Sequence, residues 1–313
     1  MTIAIAMLLY IDRTNLQADD VIATREYYSR IGVWPRQPFE IDPKGWLANF
    51  SGKRDVEIAV ALLDSFMFIN EQQTFKMFET AFAALASEPY ISGLPGADLE
   101  TQWGNFRRRA LVSFPTDDQD SASGSGYRFV RMARQKLNLP DGQLLDPGQL
   151  VVHLSRQTEA RPIVFVDDIV GSGNQFTDTW TREVVLEDGS VTSLETEAVR
   201  LNCHVFYAPA VCTAVGLSAI NMRAPQVRVR AAHFLPSVYS ANHPNTLLVP
   251  NEMRAELVPF IKRHSARAGI SQFATFGWGD LALALAFEHS TPDLALPIFT
   301  AERPGWRPLV TRR

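Results

Sequence analysis

Cysteine is scarce in this chain: Cys203 and Cys212 are the two among 313 residues, and they form no C-x-x-C pair. That scarcity excludes a disulfide framework and a cysteine-based zinc site, and a reduced, cytoplasmic setting is expected. Excess basic charge is missing too. Lys and Arg total 30 against 34 Asp and Glu, a net charge of −4, so no broad polyanion-binding face is expected. No apolar run approaches the ~20 residues of a membrane-spanning helix. The stretch Ile3 to Tyr10 has no basic leader and no small-residue cleavage site after it, and reads as a buried strand or helix. No membrane association is expected. No Gly-Lys-Ser/Thr follows a strand, which excludes a Walker-type phosphate loop. There is no internal repeat, and His153, His204, His233, His243 and His264 show no metal-ligand spacing.

What is present suits a packed core. Hydrophobic residues make up 46% and charged residues 20%, and the length allows one large domain or two modest ones. Asp19 to Ile31 has helical spacing and ends near Gly32 and Pro35. Trp46 to Phe50 follows, then the apolar run Val56 to Ile69. Phe75, Phe78, Phe82 and Leu85 recur at helical spacing, an aromatic stripe that reads as core. Ser87 to Ala97, with Pro89, Gly93, Pro95 and Gly96, breaks the pattern and marks the expected internal boundary.

From Arg109 the pattern alternates. Ala110 to Phe114 reads as a strand, Tyr127 to Leu137 as a helix, and Asp146-Pro147 as an N-cap with proline at the first position of a helix through Arg156. Ile163 to Val166 is a buried strand, and a helix is expected from about Ser172. Val185 to Leu194, centred on Asp188-Gly189, reads as a hairpin. Val205 to Ala208 and Val227 to Ala231 are further strands around a helix through Val215 and Ile220, opened by Cys212. The fold class expected is α/β, a mainly parallel sheet with helices on both faces. An N-terminal helical region over 1–97 precedes a core over 98–275. A strand-containing C-terminal extension over 276–313 is expected to pack on that core.

The sharpest chemistry lies in Pro162-Ile-Val-Phe-Val-Asp-Asp-Ile-Val-Gly-Ser-Gly-Asn-Gln175. Four apolar residues make a strand, and Asp167 and Asp168 are expected at its C-terminal end, where open α/β sheets bind ligands. Gly171-Ser172-Gly173 then turns into a helix, so its first amides, with those of Asn174 and Gln175, form an anion site. Carboxylates beside a phosphate cradle suit a sugar phosphate: the acids accept from vicinal hydroxyls, and the amides and the Ser172 hydroxyl hold the 5-phosphate. The bland alternative is a parallel strand ending in a glycine turn. Upstream, Ser123-Gly124-Ser125-Gly126 opens the next helix, with Arg128 and Arg131 adding positive charge. A surface linker is the competing interpretation of that stretch. For Asp117, Asp118 and Asp120, a solvated acidic turn competes with a magnesium site.

The Asp167 stretch resembles the phosphoribosyltransferase motif Asp-Asp-apolar-apolar-x-Thr-Gly-x-Thr, with Ser172 replacing the first threonine and Gln175 the closing hydroxyl residue. One phosphate contact must therefore differ. Further likeness lies in Trp46-Leu-Ala-Asn-Phe50, Phe276-Gly-Trp-Gly-Asp280, Phe287-Glu-His-Ser-Thr-Pro292, Leu296-Pro-Ile298 and Trp306-Arg-Pro-Leu309. Over roughly 46 to 312 the chain resembles the phosphoribosyltransferase-like family associated with prokaryotic conflict systems. The resemblance implies a type I phosphoribosyltransferase-like core and a ribose 5-phosphate ligand such as phosphoribosyl pyrophosphate, carried with Mg2+ that Asp167 or Asp168 helps hold. It implies that Ser123, Gly124, Ser125 and Arg128 meet the pyrophosphate. It also implies an anti-phage defence setting, some of it retron-associated, with a defence-system protein, or a reverse transcriptase and its nucleic acid, as partner. Trp278 and His289 are candidates to cap the site or contact a base; packed structural roles are the alternative. Three activities stay open: transfer at ribose C1, sensing without turnover, and hydrolysis of a nucleotide or pyrophosphate ester. The long mobile loop of active transferases has little room in Leu137 to Pro162; Thr181 to Arg200 or the tail would have to supply a lid.

Overall fold

A computed structural model describes residues 16–92, 98–116 and 125–311. In chain order its principal elements begin with α1 (Ala18–Arg30), α2 (Lys53–Ser65), β1 (Met67–Ile69), α3 (Glu71–Ala84), α4 (Leu99–Arg109) and β2 (Leu111–Ser113). Next come α5 (Ser125–Leu137), α6 (Pro147–Ser155), β3 (Ile163–Val170), α7 (Asn174–Thr181), the hairpin strands β4 (Val184–Val185) and β5 (Val191–Thr192), and α8 (Leu194–Arg200). The last are β6 (Val205–Thr213), α9 (Ala214–Arg223), β7 (Val227–Val229), β8 (His233–Leu235), α10 (Arg254–Arg267) and β9 (Leu285–Phe287). Among the described residues no helix is long and apolar enough to cross a membrane.

The chain divides into two compact units. One joins Met1–Glu71 to Ser237–Arg313, and the other is Gln72–Pro236. The division differs from boundaries at 97 and 275: α3 and α4 belong with the α/β sheet, and the C-terminal stretch folds with the N-terminal helices. The reason is long-range pairing. β1 and β9 form a parallel ladder, Met67 opposite Leu285 and Ile69 opposite Phe287. Around it the segments that carry the family resemblance make one aromatic core. The indole N–H groups of Trp46 and Trp306 donate to the same carbonyl, Ile298 O, at 2.9 and 3.3 Å. Phe50 lies edge-on to Trp306, ring centroids 5.6 Å apart, and Trp46 lies 5.3 Å from Phe299. Burying such rings is the largest hydrophobic gain available per residue, and their shared acceptor fixes the geometry.

In the second unit β2, β3, β6 and β7 lie in that order, all parallel, with β8 continuing the β6 edge. The β3 segment Ile-Val-Phe-Val is buried on both faces, which is why it reads as a continuous apolar run. Ile163, Phe165, Val205 and Tyr207 face one layer, α6 to α9, through Leu150, Phe176, Leu194 and Ile220. Val164, Val166, Phe206 and Ala208 face the other, α3 to α5, through Phe78, Phe106 and Phe129. The α/β expectation with both faces covered therefore holds.

One isolated bridge decides the topology. Leu144 pairs in parallel with Val112 on the outer side of β2, and the Leu145 N–H donates to Val112 O at 3.0 Å. The chain thus leaves β2 outward through α5, returns across it through α6 to β3, and goes on to β6. Right-handed crossovers running in opposite directions must put their helices on opposite faces, as α5 and α6 are. The direction of connection reverses between β2 and β3, and that is the topological switch point where open α/β sheets leave a crevice.

Candidate functional site

Asp167 and Asp168 stand beside this switch point, on β3. The strand runs four residues further than Ile163 to Val166, so the two acids are inside it rather than just beyond it. Pairing with β6 continues past them, Ile169 opposite Val211 and Val170 opposite Cys212. Asp167 is opposite Pro209, whose carbonyl accepts the Ala232 N–H at 3.3 Å on the far side. The N–H that proline lacks would point the same way, into the interval between β7 and β8, so the β3 ladder loses nothing.

Both carboxylates are enclosed, Asp167 at 2% exposure and Asp168 at 5%. Buried carboxylates require donors. Asp167 Oδ1 accepts the Asp168 N–H at 2.9 Å, and Asp168 Oδ1 accepts the Ile169 N–H at 2.8 Å. Asp167 Oδ2 accepts the Tyr207 hydroxyl at 3.1 Å. Burial, then the Asp167 charge, pushes the Tyr207 phenol well above the ordinary tyrosine range, so it remains a neutral donor. Sequence reasoning missed Tyr207. In Val-Phe-Tyr-Ala it reads as one more core aromatic, and only the register of two strands reveals its partner.

The turn after β3 is held from behind. Gly173 adopts φ +81° as N-cap of α7, a left-handed conformation that favours glycine. The Thr213 hydroxyl, at the end of β6, donates to Gly171 O at 2.6 Å and accepts the Gly216 N–H at 3.0 Å, capping α9. Ser172 Oγ accepts the Asn174 N–H at 3.3 Å. Asn174 and Gln175 are exposed at the start of α7, where the helix dipole favours an anion. Arg223 Nη1, on α9, reaches Asn174 Oδ1 at 3.4 Å and Thr177 Oγ1 at 3.3 Å, adding positive charge at this helix start. Thr213, Gly216 and Arg223 carried no local signal.

Across the crevice, the residues after β2 are tied to the same helix. The Thr116 N–H donates to Thr179 Oγ1 at 2.9 Å, and Arg182 donates to both Thr116 Oγ1 and Thr116 O at 2.8 Å. Phe114 meets Tyr127 on α5, ring centroids 4.5 Å apart. Ser125 begins α5 and Arg128 is half-buried in its first turn. Ser123, Gly124 and the acids Asp117, Asp118 and Asp120 lie outside the described residues.

Cys212, expected to open a helix, is instead the penultimate residue of β6; it is buried, and its thiol is pushed up to about 12 by desolvation. Trp278 and His289 fall in the first unit. Trp278 is 65% exposed beside Gly277, and the His289 ring lies 5.2 Å from Phe287. Among the described residues no group of three or more His, Cys, Asp or Glu forms a metal cage. The hard carboxylate oxygens of Asp167 and Asp168 are of the chemical type that a magnesium ion takes as ligands.

The family model described as PRTase-CE matches residues 43–312, across both units. No curated protein and no solved structure matches the chain.

Proposed function

The chain belongs to the PRTase-CE family, a phosphoribosyltransferase-like family, and we propose that its α/β unit binds a ribose 5-phosphate ligand, with phosphoribosyl pyrophosphate as the reference case. The observation that carries this is the position of Asp167 to Gln175 beside the β2/β3 switch point, with enclosed acids leading directly into the glycine turn that starts α7. The amides of Ser172 to Gln175 and the Ser172 hydroxyl hold the 5-phosphate, with Arg223 in place of the hydroxyl that Gln175 lacks. Asp167 and Asp168 take the ribose hydroxyls. Ser125 and Arg128, with Ser123 and Gly124, meet the pyrophosphate. Magnesium bound with the ligand, held on the protein side by Asp167 or Asp168, would offset charge on the departing pyrophosphate.

In the transfer reaction the C1–oxygen bond breaks, pyrophosphate leaves with the electron pair, and an acceptor bonds to C1 and gives up its proton. The enclosed carboxylates lie where positive charge develops on the sugar. A second interpretation, ligand sensing without turnover, is favoured by the connection from Leu137 to Pro162: a 3-10 turn over Asp141–Gln143 and helix α6 occupy it. That leaves no long lid there. Hydrolysis by water in place of an acceptor is the third outcome. In any of these three roles the protein is proposed to serve in a prokaryotic defence system, beside a defence protein or a reverse transcriptase and its nucleic acid.

Calorimetric titration of phosphoribosyl pyrophosphate with magnesium, followed by product analysis of the same sample, separates these. Binding with pyrophosphate release marks an enzyme, and binding alone marks a sensor. Absence of binding would remove the ribose-phosphate assignment.

A further inference from the structure

Tyr207 occupies the position on β6 opposite Phe165 and is closed in by rings. It stacks on Phe176, centroids 4.8 Å apart at 25°, and meets Phe165 edge-on at 6.3 Å. The ring therefore has one orientation, and its hydroxyl is aimed at Asp167 Oδ2. A phenol enclosed among aromatics has to find a polar partner, and a carboxylate enclosed in a sheet has to find donors. Each meets the other's need. With the Asp168 N–H on Oδ1, Asp167 is gripped at both oxygens. A carboxylate fixed in this way loses little freedom when a ligand hydroxyl reaches it.

We propose that Tyr207 is a positioning residue of the sugar site, holding the Asp167 carboxylate in the orientation in which it accepts a ribose hydroxyl. The proposal rests on the ribose-phosphate assignment above and extends it to a residue outside the loop. Tyr207 itself touches no ligand and acts through Asp167. The phenol is held by ring packing that phenylalanine would keep, so its hydroxyl can be removed without opening a cavity.

The test compares the full chain with Tyr207→Phe, Asp167→Asn and the double variant, using ribose 5-phosphate and inorganic phosphate as separate probes. Tyr207→Phe is expected to weaken ribose 5-phosphate binding about tenfold, the loss of one hydrogen bond to a charged group. Phosphate binding, which does not use the acid, is expected to stay unchanged. In the double variant the Tyr207 change is expected to add nothing to Asp167→Asn. Equal weakening for both probes together with a lower melting temperature would reduce Tyr207 to a packing residue. Affinity within about twofold of the unaltered chain, or losses that add in the double variant, would overturn the proposal. Should the unaltered chain bind neither probe, the functional assignment fails by itself. The crystal structure of Tyr207→Phe then decides positioning: a displaced Asp167 carboxylate supports it, and an unmoved one overturns it.

Discussion

A Cβ on Gly216 would lie 2.4 Å from the Gly171 carbonyl and 2.7 Å from Val170 Cγ1. Nothing so close can be accommodated without moving the turn that leads into α7. Gly216→Ala is therefore expected to cost about 1–3 kcal/mol, as overpacking does, and to weaken ribose 5-phosphate binding with it. Thermal melts and calorimetry check both; an unchanged melting temperature would mean that the turn yields freely. The neighbouring acids behave differently. Asp167→Asn with Asp168→Asn keeps side-chain size and so leaves the fold intact by circular dichroism, while ribose-phosphate binding is expected to be lost. Unchanged affinity would sink the assignment of these acids. Cys212 gives a third test. With its thiol pushed up to about 12 by burial, Cys212 stays protonated near neutral pH, so the native chain should spare it from disulfide reagents. Full labelling of both cysteines is expected after denaturant unfolding, and rapid labelling of both in the native state would contradict the burial.

At the scale of elements, local grammar was legible where it is local. Asp146 caps α6 by accepting the Gln149 N–H at 2.8 Å, and Gly189 turns the β4–β5 hairpin at φ +81°. The end of β3 was not legible, because Asp167 and Asp168 have low strand propensity and only the pairing with β6 carries the strand through them. The switch point was equally hidden, since it depends on one bridge at Leu144. The candidate loop could be found in sequence; its supports Tyr207, Thr213 and Gly216 could not, being set by a register of strands some forty residues apart.

The α2–α10 contact adds a pH dependence at the same scale. His264 Nδ1 lies 3.0 Å from Arg267 Nη1, which can only donate, and Nε2 lies 2.9 Å from Asp55 Oδ2. Those partners require a neutral imidazole with its proton on Nε2. Burial lowers the His264 pKa, the Asp55 hydrogen bond opposing it only in part. The folded value thus lies below that of the unfolded chain, near ~6.5. Stability from this site is present above the unfolded value and is lost as pH falls through it toward the folded one. The melting temperature is expected to drop from about pH 8 to about pH 5.5, and His264→Gln to flatten the drop. Parallel curves for the two proteins would assign the dependence elsewhere.

For the whole molecule, the decisive fact is that the first unit takes its core from both ends of the chain. A stop after Thr275 removes β9, Ile298, Phe299 and Trp306 together. It is expected to unfold α1, α2 and α10, not merely to trim an extension, while Gln72–Pro236 keeps its sheet and the ribose 5-phosphate binding proposed for it. Hydrogen exchange on the truncated chain reads both halves, and protection of α2 would count against a shared core. Composition could not reveal this arrangement. The glycines and prolines of 87–97 mark a break in local pattern, whereas a unit closed by residues 218 positions apart, Met67 and Leu285, leaves no local mark.

The same ladder sets an order of events at the ribosome. Met67 emerges long before Leu285, and translation at about 5–20 residues per second leaves it without its partner strand for roughly ten to forty seconds. The inserted α/β unit is complete well before that wait ends, so nascent chains should acquire the crevice between β2 and β3 first. Until Ala241 emerges, Trp46, Leu62 and Phe66 have none of the C-terminal residues that later bury them. A chaperone that shields the early helices until release is therefore predicted to govern the yield of finished protein more than the folding of the α/β unit does.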